Sequence, residues 1–436
     1  MASTYLTRTN SSPTNAKKYT WSSWNKIDSG GWYPFFSNTN QGGHSYIGFG
    51  ASSSSFGVIE HGDSAGTLYY LSTSSIQRDS SGWYHVVVQF DSTQSTASNR
   101  VKIYINNELQ TSFGNSDYPS QNLDSWLNTN GYTIEIGRRS QGSGQYYSGI
   151  ISHAHFIDGT IYAPSTFGET DSTTGEWKIN SNPGISTANY GNNGFWMFKD
   201  NNSLNDNSGN GNNFSLGGGT LTKTEDCPSN NFATLNKLSS KGTFSYGNTE
   251  VEHSTGGTTY ETTTTTLGMT SGKYYCEAKI TYDNNYPGFG IASTNSIEVT
   301  KLESDWLGKT SNSYGYFLDG VIYNNGSTIA SGQSTFATND IIGMALDLDS
   351  AQNTLKFYKN GSLVNTTNIT TNSNGWFFGT THNNTKTAAR SKFNFGNGYF
   401  RSDAVSSAGT NASNNGIFEY DVPSGYTALS TKGLNL

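Results

Sequence analysis

The closest approach to a catalytic arrangement in this chain is a group of three carboxylates, Glu169, Asp171 and Glu176. Enzymes that hydrolyse glycosides use two carboxylates that flank the scissile bond. A strand with acids at every second position would present them on one face. Glu169 and Asp171 have this spacing, but Ser-Thr-Thr-Gly, which is typical of a turn, separates them from Glu176. The alternation is broken, so the sequence predicts a structural loop and no catalytic residue.

Two further segments contain residue types that bind metals. His153 and His155 lie two apart in a strand-like pattern and would share a face. They have no third ligand at a suitable spacing, so ordinary strand-face histidines are predicted. The segment 206–211 imitates the first half of a calcium loop, whose twelfth position needs a bidentate glutamate. That position is Gly217. The sequence therefore favours a turn and predicts no metal site.

Aromatic residues in turn-like segments are the candidates for ligand binding. A sugar stacks its apolar face on an exposed ring while planar polar groups bond its hydroxyls, so a saccharide site needs both. The alternative for each ring is packing in the core or in an interface, where aromatic residues also dominate. The candidate residues are Trp32, Tyr33, Tyr146, Tyr147 and Trp306.

The composition indicates an all-β protein with large aromatic cores. Of the 436 residues, 14% are aromatic and only 13% are charged, whereas disordered chains are poor in aromatics. Strands favour aromatic and β-branched residues, and 50 glycines provide turns. Few stretches have helical spacing. The length allows two to three domains at about 150 residues each.

The charge and hydropathy patterns exclude several functional classes. The net charge is −7, and no basic patch larger than Arg138-Arg139 occurs, so nucleic-acid binding is not expected. No run reaches the ~18 apolar residues of a membrane span, so membrane insertion is not expected. Cys227 and Cys276 do not form a disulfide framework. Cys276 lies in a strand pattern and is predicted to be a buried small hydrophobe.

The strand signal is strongest between Ile342 and Asp349, where apolar residues at even positions alternate with small or acidic residues at odd positions. The acidic residues Asp347 and Asp349 are therefore expected on a solvated face. A second strand follows at 355–359, and Asn360-Gly361 tolerates the positive φ of a tight turn.

Together with three other segments, this pattern resembles the SPRY domain, a two-sheet β-sandwich. The other segments are SGKYYCEAKI at 271–280, GFGIA at 288–292 and FNFGNGYF at 393–400. The resemblance implies a binding module, because most SPRY domains have no catalytic centre.

The first half contains a second sandwich pattern, with strands predicted at 17–26, 67–73, 84–90, 100–105 and 132–137. The pair WYHVVV and VKIYIN, with GIISHAHFIDG at 149–159, resembles the concanavalin A-like or laminin-G-like fold. Some relatives of this fold are glycoside hydrolases or lyases. Laminin-G-like domains often bind Ca²⁺ at the sandwich rim, so Ca²⁺ is kept as the alternative to the absence of a cofactor.

The order of four further segments resembles a family of bacteriophage virion proteins, frequent in marine and cyanobacterial phages, that join a laminin-G-like to a SPRY sandwich. These segments are 167–177, 190–198, 206–214 and 226–236. The resemblance implies two tandem antiparallel β-sandwiches, at 1–220 and 232–436, joined by a linker at 221–231.

We therefore expect a non-enzymatic virion surface protein, used as a tail fibre, appendage or capsid decoration subunit, that recognises host-surface glycans. Residues 1–5 lack the basic start of a secretory signal, so synthesis in the host cytoplasm and a place on the virion are expected. Expected partners are other virion proteins, host polysaccharide and further copies of the chain. Two alternatives remain open: a purely structural virion subunit, and a polysaccharide depolymerase.

Overall fold

The computed structural model of the chain describes residues 3–27, 33–38, 45–50, 55–62, 66–139, 145–199, 202–240, 242–253, 260–281, 286–293, 305–383 and 389–435. The chain divides into two compact units, Met1–Lys223 (unit 1) and Thr224–Leu436 (unit 2). This division falls inside the stretch 221–231, but the second part of that stretch is no free linker. Cys227 and Asn230 form a β-bridge, and the Asn230 amide donates to Asn415 Oδ1 at 2.9 Å within unit 2.

Unit 1 consists of strands connected by turns and loops. They are β1 Tyr5–Thr9, β2 Lys18–Ile27, β3 Tyr33–Asn38, β4 Tyr46–Phe49, β5 Ser55–Gly62, β6 Gly66–Ile76, β7 Tyr84–Asp91, β8 Val101–Ile105, β9 Glu108–Leu109, β10 Phe113–Asp117, β11 Thr133–Ile136, β12 Arg138–Arg139, β13 Gln145–Tyr146, β14 Gly149–Asp158, β15 Gly168–Thr170, β16 Trp177–Ile179, β17 Phe195–Met197 and β18 Ser215–Gly218.

Fourteen of these strands form a sandwich of two antiparallel sheets in the described part of unit 1, and β12-β13 and β15-β16 form two separate two-stranded sheets. One sheet has the order β10-β6-β5-β4-β3-β11-β1-β18, and the other has the order β17-β14-β2-β7-β8-β9. The core between them is aromatic: Trp21 of β2 stacks on Phe36 of β3 at 4.7 Å, and Phe156 of β14 lies 5.3 Å from the Phe36 ring. The strands that the sequence predicts in this half are all present within a few residues.

A second apolar layer covers the outer face of the β17-β14-β2-β7-β8-β9 sheet. In β7, Val86 and Val88 point into the sandwich core, while Val87 packs outside with Phe167, Tyr190 and Trp196. The run of consecutive valines is therefore buried on both sides, as in strands covered on both faces. The segment that carries the covering residues includes the four-residue helix α1, Thr187–Tyr190.

Unit 2 also consists mainly of strands connected by turns and loops. Its strands are β19 Thr243–Ser245, β20 Glu250–His253, β21 Tyr260–Thr264, β22 Lys273–Ile280, β23 Gly288–Ser293, β24 Ser313–Phe317, β25 Ile322–Asn324, β26 Ser327–Ala330, β27 Ile341–Asp347, β28 Thr354–Lys359, β29 Ser362–Asn368, β30 Trp376–Asn383, β31 Ala389–Asn394, β32 Tyr399–Phe400, β33 Asp403–Ala404 and β34 Thr427–Ala428.

The first sheet of unit 2 has the order β19-β20-β31-β22-β27-β28-β29, with β34 parallel to β22, and the second has the order β21-β30-β23-β24-β25-β26. In the core between the two sheets, the ring centroids of Tyr316 in β24 and Phe357 in β28 lie 5.2 Å apart. The core also includes Cys276, which is fully buried as predicted. Asn360 and Gly361 have φ of 47° and 79°, which confirms the predicted turn. The prediction of two tandem, nearly all-β sandwiches is confirmed.

One prediction about this sheet is wrong. Asp347 does not lie on a solvated face: it is 6% exposed and pairs with Lys273 at 3.0 Å. The reason is that a segment near the C-terminal end, including Phe418 and Tyr426, covers the outer face of β22 and β27. Asp349, beyond the end of β27, is exposed as expected.

Helical structure is limited to α1 and single 3-10 turns in the described ranges. The 3-10 turns are Ala97–Asn99, Trp126–Asn128, Pro164–Thr166, Lys237–Ser239 and Gly433–Asn435. None of the helices that the structure describes is long and apolar enough to cross a membrane.

Candidate functional site

The candidate site is an aromatic pocket on the outer face of the β21-β30-β23-β24-β25-β26 sheet in unit 2. Its volume is about 430 Å³, within the usual range for small-molecule sites. Trp306, one of the residues singled out in the sequence, lies in its wall. The described lining residues are Tyr260, Tyr286, Trp306, Phe317, Tyr323, Gly326 and Asn383.

Strand alternation places two of these rings on the outer face. Tyr316 points into the core of unit 2, so its neighbour Phe317 in β24 points outward. Ile322 points into the same core, and Tyr323 of β25 therefore also points outward. Because β24 and β25 pair in register Tyr316↔Ile322, the two outward rings come together, with centroids 5.4 Å apart.

Glycines allow Trp306 to reach this face. The segment 305–308 crosses the sheet so closely that a Cβ on Gly315 of β24 would lie 2.3 Å from the Leu307 carbonyl oxygen. Gly308 has φ +96°, and a Cβ there would meet the Tyr323 carbonyl oxygen at 2.6 Å. Both distances are far inside van der Waals contact, so a side chain at either position would push the crossing segment away from the sheet.

The rings form a floor and a wall. Phe317 is fully buried and forms the floor. Tyr286 stacks over it at 5.1 Å, and Trp306 meets it edge-on at 5.6 Å and 80°. Trp306 also meets Tyr323 edge-on at 4.9 Å, while Tyr260 lies 5.9 Å from Trp306. Trp306, Tyr323, Tyr260 and Tyr286 are only partly buried, so ring surface stays open to a ligand.

Polar groups converge at the rim of the pocket. The Tyr286 hydroxyl donates to Asp319 Oδ2 at 2.5 Å and is also hydrogen-bonded to the Tyr323 hydroxyl. On the other side, Asn383 bonds the Tyr260 hydroxyl. Burial first, and then the nearby Asp319, raises the pKa of Tyr286 far above its ordinary value. The Tyr286 hydroxyl therefore stays neutral at physiological pH, and the tyrosine hydroxyls of the rim can donate or accept hydrogen bonds.

Of the other ring candidates, Tyr146 and Tyr147 are not among the described residues that line this pocket. Trp32 lies outside the described residues, and of Tyr33 only the backbone is described, at the start of β3. Tyr147 is a core anchor of unit 1, because it is 8% exposed and its hydroxyl donates to the Lys26 carbonyl at 3.1 Å. A buried ring cannot present a face to a sugar, so Tyr147 is corrected to a packing residue. Tyr146 is partly buried, with its ring 6.1 Å from that of Tyr5.

Sequence reasoning missed the partners of Trp306, namely Tyr260, Tyr286, Phe317 and Tyr323. A signal for two of them was available, because Phe317 and Tyr323 are large rings at positions that alternate with core residues. Such positions are normally polar on a solvated face, so aromatic rings there indicate a covering segment or a ligand. Nothing local in the sequence links Tyr260 or Tyr286 to them.

The three carboxylates of unit 1 lie in an exposed hairpin formed by β15 and β16. Asp171 Oδ1 accepts from the backbone N–H groups of Thr173 and Thr174 at 2.8 and 2.9 Å, which closes the predicted turn. Lys178 pairs with Asp171 at 3.1 Å and with Glu169 at 3.5 Å. The N–H bonds hold the pKa of Asp171 well below its ordinary value, so this group stays ionised and is not suited to act as a general acid.

Aromatic side chains cover the outer face of the sheet behind this hairpin. Trp177 of β16 donates its indole N–H to His85 Nδ1 at 3.1 Å, and His85 Nε2 is bonded to Ser22 at 2.9 Å. His85 is thus buried and hydrogen-bonded through both ring nitrogens, and burial lowers its pKa to about 3. His153 and His155 both pack against Trp196, at 6.0 and 4.9 Å, next to a β-bulge in β14.

In the calcium-like loop, hydrogen-bond donors of the chain itself occupy the Asp206 carboxylate. Asp206 Oδ1 accepts from the N–H groups of Trp196 and Ser208, both at 2.8 Å. Asp206 Oδ2 accepts from Ser208 Oγ at 2.7 Å and from the N–H of Asn212 at 3.0 Å. Four donors therefore occupy the carboxylate, and the loop does not fit a calcium ion. Within the described ranges, no cluster of three or more His, Cys, Asp or Glu side chains is placed to hold a metal.

Comparison with known proteins agrees with the two sandwiches. The family model of the concanavalin A-like lectin/glucanases superfamily matches residues 1–165, and that of the SPRY domain matches residues 273–398. The comparison with curated proteins gives no match. The chain therefore carries a concanavalin A-like domain followed by a SPRY domain.

Solved structures of SPRY domains are similar to part of the chain. The SPRY domain of human HERC1 is 20% identical, with 33% of this chain and 87% of that chain covered and a TM-score of 0.28. A human SPRY domain is 18% identical, with 33% and 90% covered and a TM-score of 0.26. The TRIM65 PSpry domain is 15% identical, with 37% and 91% covered and a TM-score of 0.30.

Proposed function

We propose that this chain is a non-enzymatic recognition protein of a bacteriophage particle, and that its SPRY unit binds saccharides of the host surface through the pocket around Trp306. The observation that carries the proposal is the combination of partly open rings and rim hydroxyls in one cavity. A sugar has an apolar C–H face that stacks on a ring and hydroxyls that need hydrogen-bond partners. Tyr260, Asn383 and Tyr286 supply such partners beside Trp306.

The place on a virion rests on the order of segments that resembles phage virion proteins. As a tail fibre, appendage or capsid decoration subunit, the chain would be present in many copies, next to other virion proteins. Multivalent display raises avidity by about 10² to 10⁴ over a single site. A shallow pocket of partly exposed rings is suited to such contacts, because each site can be weak. The net charge of −7 gives no reason to add nucleic acid to the partners.

The non-enzymatic part of the proposal is supported by unit 1. Its exposed acidic hairpin is held as a turn by Thr173 and Thr174 and is paired with Lys178. The sheet face beside it is covered by Trp177 and by the aromatic layer around Trp196. A depolymerase would need two carboxyl groups facing each other across an open groove, at about 5 to 9.5 Å.

The test is binding of the full chain to an immobilised array of neutral, amino and acidic saccharides, with Trp306→Ala as the variant. Trp126→Ala is the matched control, because Trp126 is a partly buried tryptophan of unit 1 that packs on Tyr132 at 5.6 Å and is not among the described residues that line the pocket. We expect saturable binding that Trp306→Ala reduces about 5- to 150-fold, which corresponds to about 1–3 kcal/mol for a stacking ring, and that Trp126→Ala leaves unchanged.

Two results would contradict the proposal. Absence of binding to every saccharide, even with the chain multimerised for avidity, would favour the structural-subunit alternative. Release of reducing ends from a bound polysaccharide would show that the protein is an enzyme. Thermal unfolding of both variants establishes that a loss of binding is not a loss of fold.

A further inference from the structure

The described residues that line the pocket of unit 2 carry no charged side chain, but one of them, Tyr286, is hydrogen-bonded to a carboxylate just outside the lining. Asp319, in the turn between β24 and β25, is exposed and accepts the Tyr286 hydroxyl at 2.5 Å. No lysine, arginine or histidine is among the described residues that line the cavity. Lys309 lies in the turn after Trp306, but its side chain is exposed and outside the lining.

We infer that this pocket selects saccharides that carry a protonated amino group over neutral and acidic saccharides. This inference rests on the proposed function and names the ligand class of the same site. The specific juxtaposition is that of the Asp319 carboxylate and the Tyr286 hydroxyl beside the partly open rings of Trp306, Tyr323 and Tyr260.

The preference follows from two attractions that act on the same charge. The faces of aromatic rings carry negative electrostatic potential, so a cation within about 6 Å of a ring centroid is attracted to it. Trp306, Tyr323 and Tyr286 are mutually close, which lets one ammonium group contact more than one of them. Asp319 adds an exposed carboxylate at the rim.

Acidic saccharides meet the opposite situation. A uronate in the pocket would face Asp319 without a basic partner among the described lining residues, and it would lose part of its hydration on entry. A neutral N-acetylated sugar keeps the stacking on Trp306 and the hydrogen bonds of the rim, but it gains nothing from Asp319. The expected order of affinity is therefore amino, then neutral, then acidic.

The experiment compares three oligosaccharides of matched length: β-1,4-glucosamine with free amino groups, its fully N-acetylated counterpart, and an oligouronate. Dissociation constants are measured for the full chain at low salt and at a pH where the amine is protonated. The variant is Asp319→Asn, whose amide oxygen can still accept from Tyr286. The matched control is Asp117→Asn, which removes the same charge from an exposed position of β10 in unit 1.

We expect the amino oligomer to bind about three- to tenfold more tightly than the acetylated one. Asp319→Asn abolishes this ratio, and Asp117→Asn keeps it. Added salt should shrink the ratio in the wild-type chain, because Asp319 is exposed and its field is screened.

The outcomes separate the two proposals. Equal or weaker binding of the amino oligomer, or a ratio that persists in Asp319→Asn, overturns the inference. If such binding still depends on Trp306, the proposed saccharide function survives. If none of the three oligosaccharides binds, and the wider array gives no Trp306-dependent binding, both proposals are overturned together.

Discussion

Glu277 gives unit 2 a pH dependence that can be calculated from its contacts. It is fully buried in β22, and four donors surround its carboxyl group. Oε1 accepts from the Tyr420 N–H at 2.9 Å and from the Tyr275 hydroxyl at 3.3 Å. Oε2 accepts from the Glu419 N–H at 2.9 Å and from the Asn394 amide at 3.3 Å. The carboxyl group thus ties the segment at 419–420 to the sheet.

The magnitude follows from the pKa of this group. Burial raises the pKa of Glu277 from 4.5 to about 7, against the backbone N–H groups of Glu419 and Tyr420, which lower it. The folded state therefore binds the proton more tightly than the unfolded state. The resulting stabilisation is fully present below pH 4.5 and is lost as pH rises through about 7. At about 1.4 kcal/mol per pH unit, the loss is about 3 kcal/mol.

The assay compares the wild-type chain with Glu277→Gln between pH 4.5 and pH 8. Native-state hydrogen exchange of the Glu419 and Tyr420 amides reports the local free energy of opening, and thermal unfolding reports the wider effect. Intrinsic exchange rates cancel between the two chains at each pH. We expect the difference, wild type minus variant, to fall by about 3 kcal/mol across this range. Glu108→Gln, at an exposed position of β9, should give a flat difference.

A flat difference for Glu277→Gln, or one that rises with pH, would refute the reasoning. The first result would mean that the four donors offset the cost of burying the charge. The second would mean that they exceed it, so that the carboxylate is held ionised.

Four further perturbations have defined outcomes. Gly315→Ala, whose Cβ would lie 2.3 Å from a backbone carbonyl, should abolish saccharide binding on the array, whereas Gly114→Ala, whose nearest contact is 3.6 Å, should not. Trp21→Ala should lower the free energy of unfolding of unit 1 by about 3–5 kcal/mol in denaturant titrations. Burial lowers the pKa of His253 to about 3, so stability should fall as pH drops below 6.5, and His253→Gln should weaken this loss in acid titrations followed by near-UV circular dichroism. Because donors of the chain itself occupy the Asp206 carboxylate, EDTA should leave the Tm unchanged, and a drop in Tm would instead support calcium binding.

Much of the fold could be predicted because strand periodicity is a local property. The alternation in β27 and the turn at Asn360-Gly361 are visible in consecutive residues, and the structure has both. The same reasoning identified the hairpin around Asp171 as a turn, because the Ser-Thr-Thr-Gly sequence competes with regular pairing.

The candidate site was much less accessible to such reasoning. Trp306 could be named as a candidate from its turn-like context, but so could Tyr147, which is buried in the core of unit 1. Whether a ring in a loop is a platform or an anchor depends on what packs against it. For Tyr147 that is the Lys26 carbonyl, and for Trp306 it is Phe317 and Tyr323.

The sequence by itself determined that this protein has two β-sandwiches with aromatic cores, because side-chain alternation and turn chemistry act between near neighbours in the chain. Only the tertiary structure decided which outer faces are covered. Asp347 is buried by a segment some 70 residues further on, and the Tyr260 ring contacts that of Trp306, 46 residues further on. Such contacts depend on how distant segments pack together, and the local periodicity of the sequence does not predict this packing.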